Sequence, residues 1–150
     1  LPNEAATVAS AAALAGVLAG GEVITLEGEL GAGKTAFVRA CLRALGETAT
    51  IKSPTYGLVE TYAFAAFDLY HIDFYRLEHP SGWRSAGLEE CFHERAVVFI
   101  EWPSKASGLP TPDLGLTLHI EGEDARQLRV RAYSSAGTAL LARWEAVWPR

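Results

Sequence analysis

Eight consecutive residues, Gly28-Glu29-Leu30-Gly31-Ala32-Gly33-Lys34-Thr35, constrain this chain more than any other stretch, because they meet every fixed position of the pattern G-x-x-x-x-G-K-[ST]. Glycines let a backbone turn with its amides facing inward, where they can wrap phosphate oxygens. Lys34 offers a point charge to β- and γ-phosphates, and Thr35 offers its hydroxyl to Mg²⁺. A helix beginning at such a loop adds its unpaired amides and its dipole. The flanks agree with this reading. Glu22-Val23-Ile24-Thr25-Leu26-Glu27 is a short β-branched run suited to a buried strand. From Lys34 to Leu45 the apolar residues Phe37, Val38, Cys41, Leu42 and Leu45 recur at helical spacing, and Gly46 ends the pattern. Strand, loop and helix therefore follow in the order that a nucleotide-phosphate site requires.

A phosphate loop also needs a carboxylate to hold Mg²⁺, usually where an apolar strand beside the loop ends. Glu101 directly follows Val97-Val98-Phe99-Ile100, a wholly apolar run typical of a central parallel strand. Asp73 ends the run Leu69-Tyr70-His71-Ile72. Glu101 should sit at the carboxyl edge of a sheet, where ligands of α/β proteins bind, whereas the hairpin edge alone could explain Asp73. A merely solvated strand-end carboxylate would look the same in either place. Thr55 stands on a turn fixed by Pro54, in the region suited to sensing a γ-phosphate, although a turn threonine capping its neighbour would look the same. Trp102 follows Glu101 and could pack near a nucleotide or simply fill core. His71 reads as a paired strand histidine, without a second ligand spaced for metal. Arg39 and Arg43 suit a solvated helix face, whereas Lys52 and Arg76 are better placed for phosphate or partner contact.

A length of 150 residues fits one domain, 1–150, that buries a core without disulfide or metal. A formal net charge of −5 argues against broad non-specific binding to duplex nucleic acid. Cys41 and Cys91 are far apart, with no metal-like spacing to histidine, and Cys41 lies on the core stripe of the helix after the loop, so a buried free thiol there and a reducing cytoplasm are expected. Ala5 to Gly21 is uncharged, but it lacks a basic leader and is too weakly apolar to span a bilayer. It reads instead as an alanine-rich helix ended by Gly20-Gly21, and no membrane segment is expected elsewhere. The absence of methionine implies that an initiator residue was removed or the chain trimmed.

Tyr56 to Tyr62 and Phe67 to Asp73 form an expected antiparallel hairpin, because a parallel pair needs a crossover of a dozen or more residues. Pro80 to His93 is helical and broken at Gly87; Leu114 to Glu121 and Gln127 to Tyr133 form a second hairpin; Thr138 to Trp148 closes the chain as a helix. The sum is an α/β fold, a three-layer sandwich with a mixed, mainly parallel central sheet and antiparallel hairpin additions. Nothing is long enough to make a separate lid domain.

With these residues assembled, the chain resembles the TsaE family, small bacterial P-loop ATPases of tRNA threonylcarbamoyladenosine biosynthesis. The resemblance runs through the phosphate loop, Ser53-Pro54-Thr55-Tyr56, Leu58-Val59-Glu60 with Tyr62, His71-Ile72-Asp73-Phe74-Tyr75-Arg76, Gly87-Leu88-Glu89-Glu90 and Ile100-Glu101-Trp102-Pro103. It implies ATP and Mg²⁺ as ligands, and two partners, TsaB and TsaD, with TsaD carrying the transfer chemistry and tRNA met only through the complex. ATP hydrolysis would support repeated turnover of that complex. By the same resemblance Glu29, Leu30, Gly31, Ala32, Gly33, Lys34, Thr35 and Ala36 line the nucleotide, with Thr7 of the first helix, a switch-like Thr55 and Trp102. Lys34 joins Asp73 and Glu101 in catalysis, and Thr35, Asp73 and Glu101 serve the metal. Ala36 departs from the family, where many relatives carry a second threonine.

Two other classes share the loop. A small-molecule kinase needs an acceptor pocket and normally an arginine-bearing lid, which the chain lacks. A guanine-nucleotide switch needs Asn-Lys-x-Asp and Asp-x-x-Gly, and neither occurs. The ATPase reading is the strongest of the three.

Overall fold

Strand β4 (Ala96–Glu101) is buried along its whole length, and the sheet is built outward from it. In the computed structural model, which describes residues 1–48 and 58–149, six strands form one sheet in the order β2-β3-β4-β1-β5-β6. The inner four, β3 (Asp68–Asp73), β4, β1 (Val23–Glu27) and β5 (Leu114–Ile120), run parallel. Each edge is closed by an antiparallel partner, β2 (Val59–Ala63) on β3 and β6 (Arg126–Ala132) on β5. Both expected hairpins are present. Tyr56 lies outside the described residues.

Alternation along β4 divides the core. Val97 and Phe99 join the cluster that holds Ile24, Leu26 and Leu69, whereas Val98 and Ile100 join the cluster of Ile72 and Phe74. The first face is covered by α1 (Glu4–Ala15), α2 (Lys34–Ala44) and α4 (Ser135–Ala146), through Leu14, Phe37, Leu42, Leu140 and Trp144. Full burial of each such side chain stabilises the fold by about 1.5–3 kcal/mol. The second face is covered more thinly, by a four-residue helix α3 (Gly82–Ser85) and a 3₁₀ turn at Leu88–Cys91 that present Trp83 and Leu88. Gly87, in the left-handed region at φ 79°, separates the two, so the helix expected over 80–93 is two short turns.

Two boundaries differ from the sequence expectation. Helix α1 ends at Ala15 and not at Gly20, because Gly16 and Val17 close it with main-chain bonds to Ala12 and Leu14. Gly20 and Gly21 instead make the turn into β1, their amide neighbourhood held by the Glu22 carboxylate, which accepts from Ala19 and Gly20. Helix α4 starts three residues early, where the Ser134 hydroxyl accepts the Gly137 N–H as a cap. Cys41 and Cys91 are both buried free thiols, and burial pushes both pKa values up.

Candidate functional site

Register brings the loop and the two carboxylates to one edge. Leu26 of β1 pairs with Glu101 of β4, and Glu101 pairs with Asp73 of β3, so three neighbouring parallel strands end side by side. The loop leaves the first of them. Gly28 must be glycine because a Cβ there would stand 2.4 Å from the Leu118 carbonyl oxygen. Gly33 must be glycine for conformation, since it caps α2 at φ 104° with open space around it. Among the described residues the N–H groups of Gly31, Gly33, Lys34 and Thr35 find no acceptor, as the first turn of a helix dictates. A cradle of free amides at a helix N-terminus is a site for an anion.

Lys34 points back into this cradle. It is buried, and its Nζ donates to the carbonyls of Gly28 and Glu29 at 2.6 and 3.0 Å. Desolvation lowers its pKa, opposed by the charges of Glu101, Asp73 and Glu29. The Trp102 ring lies over the ammonium at 4.3 Å from its centroid and packs against Tyr75 at 5.1 Å. Trp102 is also the one described non-glycine residue with positive φ, at 56°. A left-handed tryptophan costs about 1–3 kcal/mol, and such strain gathers at ligand sites.

Beside the lysine, Thr35 Oγ1 lies 2.9 Å from each oxygen of the Glu101 carboxylate. One hydroxyl proton serves that contact and leaves the threonine oxygen's lone pairs available. Glu101 is 2% exposed and also accepts from His71 Nε2 at 2.5 Å. Asp73 is half-buried, and its Oδ1 accepts the Tyr75 N–H at 2.9 Å. Burial raises the Asp73 pKa, with the Tyr75 bond opposing and the Glu101 charge adding to the rise. Hydroxyl and carboxylate oxygens of this kind are the donors that Mg²⁺ takes when it keeps several waters and binds substrate phosphates. Among the described residues no three His, Cys, Asp or Glu side chains form an all-protein cage.

The structure thus gathers Lys34, Thr35, Asp73, Glu101 and Trp102 around the loop of Glu29, Leu30, Gly31, Ala32 and Gly33. Leu30 is exposed at 69%, and Ala36 is exposed on the first turn of α2. Thr7 sits on α1, where its hydroxyl donates to the Asn3 carbonyl at 3.4 Å, and no hydrogen bond joins it to the loop among the described residues. Thr55 and Lys52 lie outside the described residues. Arg76 is exposed.

Two supports had no sequence signal as parts of the site. His71 read only as a strand histidine, and its tie to Glu101 spans 30 positions. Arg126, from the start of β6, donates from Nε to the Ala32 carbonyl at 3.0 Å and from Nη1 to Ala125 at 2.9 Å, bracing the loop from the far hairpin.

Comparison with known proteins agrees with this geometry. A sequence model of the TsaE family, "Threonylcarbamoyl adenosine biosynthesis protein TsaE", matches residues 1–130. The chain is 35% identical over 120 residues to tRNA threonylcarbamoyladenosine biosynthesis protein TsaE of Haemophilus influenzae, covering 79% of this chain and 75% of that one. It is 38% identical over 113 residues to the protein of the same name from Bacillus subtilis, covering 75% and 70%. The fold superposes on a crystal structure of YdiB from Bacillus subtilis with a TM-score of 0.80 and 30% identity, over 97% of this chain and 91% of that one. A family model matched over most of the chain and relatives of 35–38% identity show the lineage: the chain belongs to the TsaE family.

Proposed function

We propose that this protein is a Mg²⁺-dependent ATPase that serves tRNA threonylcarbamoyladenosine biosynthesis in the cytoplasm, acting with TsaB- and TsaD-like partners. The observation that carries the reading is the approach of Thr35 Oγ1 to both oxygens of Glu101 at 2.9 Å, beside a cradle of unpartnered amides and a buried lysine. Family membership and the name shared by the Haemophilus and Bacillus relatives support the pathway. Among the described residues no helix is long and apolar enough to cross a membrane.

The chain's own groups divide the work as follows. Amides of Gly31, Gly33, Lys34 and Thr35 hold the phosphate oxygens. Lys34 exchanges its two carbonyl acceptors, Gly28 and Glu29, for the β- and γ-phosphates and stabilises the charge that moves toward the leaving oxygen. Thr35 and Glu101 would hold Mg²⁺, which when bound would supply neutralisation of the phosphate charge. Asp73, whose Oδ1 is engaged by Tyr75, keeps Oδ2 for the attacking water or for the ion's water shell. Water then attacks the γ-phosphorus, the bond to the β-bridging oxygen breaks, and ADP and phosphate leave. Trp102 packs beside the nucleotide, and Thr55 senses the γ-phosphate on behalf of the partners.

The test is ATP turnover by this chain with and without a TsaB–TsaD pair, with Mg²⁺ or with chelator, together with co-elution in ATP, ADP or neither. Metal-dependent turnover that rises with the partners, and association that differs between ATP and ADP, are expected. Absence of ATP binding would overturn the assignment; ATP binding without partner association would restrict it to the nucleotide site.

A further inference from the structure

His71 is fully buried on β3, opposite Phe99 of β4. Its Nε2 contacts Glu101 Oε2 at 2.5 Å, and its Nδ1 is the one buried side-chain nitrogen or oxygen without a hydrogen-bond partner among the described residues. An unsatisfied buried polar atom costs about 1–3 kcal/mol, so the imidazole is a poor choice for filling core between Leu69 and Phe99. A carboxylate accepts and does not donate, so the proton in this contact belongs to Nε2, while Nδ1 has no partner. What the ring provides is one short, directed N–H to a carboxylate that is itself 2% exposed.

Among the described residues the Glu101 carboxylate has two hydrogen-bonding partners, Thr35 and His71. Thr35 belongs to the loop whose amides and lysine face the ligand, so its hydroxyl is the partner that changes when a cation arrives. The histidine belongs to a parallel strand paired along all six of its residues with β4, which fixes its backbone against the strand that carries Glu101. A carboxylate held by one fixed donor is limited in its torsion about its last bond, and Thr35 Oγ1 lies 2.9 Å from both of its oxygens, the one that His71 holds included.

We infer that His71 is a positioning residue for the metal site: its Nε2–H locks the Glu101 carboxylate in the orientation that, with Thr35, receives the nucleotide-bound cation. The inference rests on the ATPase reading above and deepens it. Outer donors of this kind typically set metal affinity or activity by about 10–100-fold when lost.

The test compares His71→Leu, which removes the donor, with His71→Gln, whose amide nitrogen reaches the position of Nε2, and His71→Asn, which is polar but too short. Three quantities are read: ATP affinity in chelator, Mn²⁺ affinity of the complex with a non-hydrolysable ATP analogue by electron paramagnetic resonance, and kcat and KM at saturating metal. For Leu and Asn, Mn²⁺ affinity and kcat should fall about 10-fold or more, while metal-free ATP affinity and KM stay within about twofold, and Gln should restore most of both losses. A melting curve accompanies each variant, and should Leu fail to fold, the Asn–Gln contrast decides alone. Parent-like Mn²⁺ affinity in Asn, or Gln as defective as Asn, would overturn the positioning role. If the parent itself binds ATP without any metal dependence, the metal reading has failed, and the positioning role falls with it.

Discussion

The two ends of the site are held together in opposite ways. At the loop end, Lys34 bonds carbonyls five and six positions away, within one turn of chain. At the carboxylate end, Thr35 meets Glu101 across 66 positions and His71 meets it across 30. The first arrangement forms wherever strand, glycine loop and helix are joined, because its partners are covalent neighbours. The second exists only if β3, β4 and β1 pair in one register, since a one-residue slip would turn Glu101 into the opposite core. The glycine-loop end is therefore a local device, and the carboxylate corner is a product of the whole sheet.

The sharpest way to break this comparison is Lys34→Ala. If the loop end is local, the variant should keep its fold and melting cooperativity while kcat for ATP falls about 10²–10³-fold, as when one charge-stabilising donor is removed. Turnover assays beside circular dichroism give the answer. A Lys34 variant that unfolds would mean that the buried ammonium, bonded to Gly28 and Glu29, holds the sheet edge together as well.

Glu101→Gln probes the other end with a smaller change. The amide preserves volume and one acceptor for His71 while removing the charge. ATP turnover should drop about 10²-fold, and ATP affinity measured in chelator should stay within about twofold, because the amide cradle is untouched. Loss of metal-free affinity by calorimetry would show that the two ends are not separable.

The same contrast explains what could be read from the chain. The loop, its strand and its helix were legible because motif, β-branched run and helical spacing are all contiguous. Glu101 and Asp73 were legible as strand ends, since four apolar residues announce a buried strand and the next charge marks its edge. Their mutual placement was not, because register is fixed by cross-strand packing that no local pattern records. His71 was visible as a paired strand histidine within a stretch that resembles the TsaE family, with no role attached, and Arg126 as one of several arginines in a hairpin. Each acquires its place through a partner 30 or 94 positions away. In the 80–93 region the break at Gly87 was legible, and the structure places it there with a left-handed φ, Trp83 and Leu88 packing the short turns on either side of it onto the sheet.

Trp102 joins the two ends, following Glu101 in sequence and covering Lys34 in space. Trp102→Gly removes the ring and also relieves the left-handed backbone, whereas Trp102→Ala removes the ring and keeps most of the strain. ATP should bind about 2–5-fold more weakly to both, reflecting a lost cation–π contact of about 0.5–1 kcal/mol. The glycine variant should melt higher than the alanine variant. Equal melting would mean that the positive φ is held without strain, and unchanged ATP affinity would leave the ring a packing role alone.

The smallest effect expected is a gain in stability from Asp73→Asn. Burial holds the Asp73 pKa above its unfolded value, so between the two values the folded protein binds more protons than the unfolded chain. Stability due to this group therefore falls as pH rises through that window. The penalty is fully present above the folded value and absent below the unfolded one, about 3.9 for an aspartate. Asparagine cannot ionise, yet its Oδ1 can keep accepting the Tyr75 N–H. Without nucleotide, the variant should melt above the parent at about pH 8, and the gap should close as pH falls toward about 3. Its ATP turnover should fall at the same time, because the carboxylate proposed to serve the attacking water or the ion's water shell is gone. Melting curves across this pH range decide the matter. A variant that melts below the parent at about pH 8 would show that the Lys34 charge more than offsets burial, and that this carboxylate stabilises the ligand-free fold.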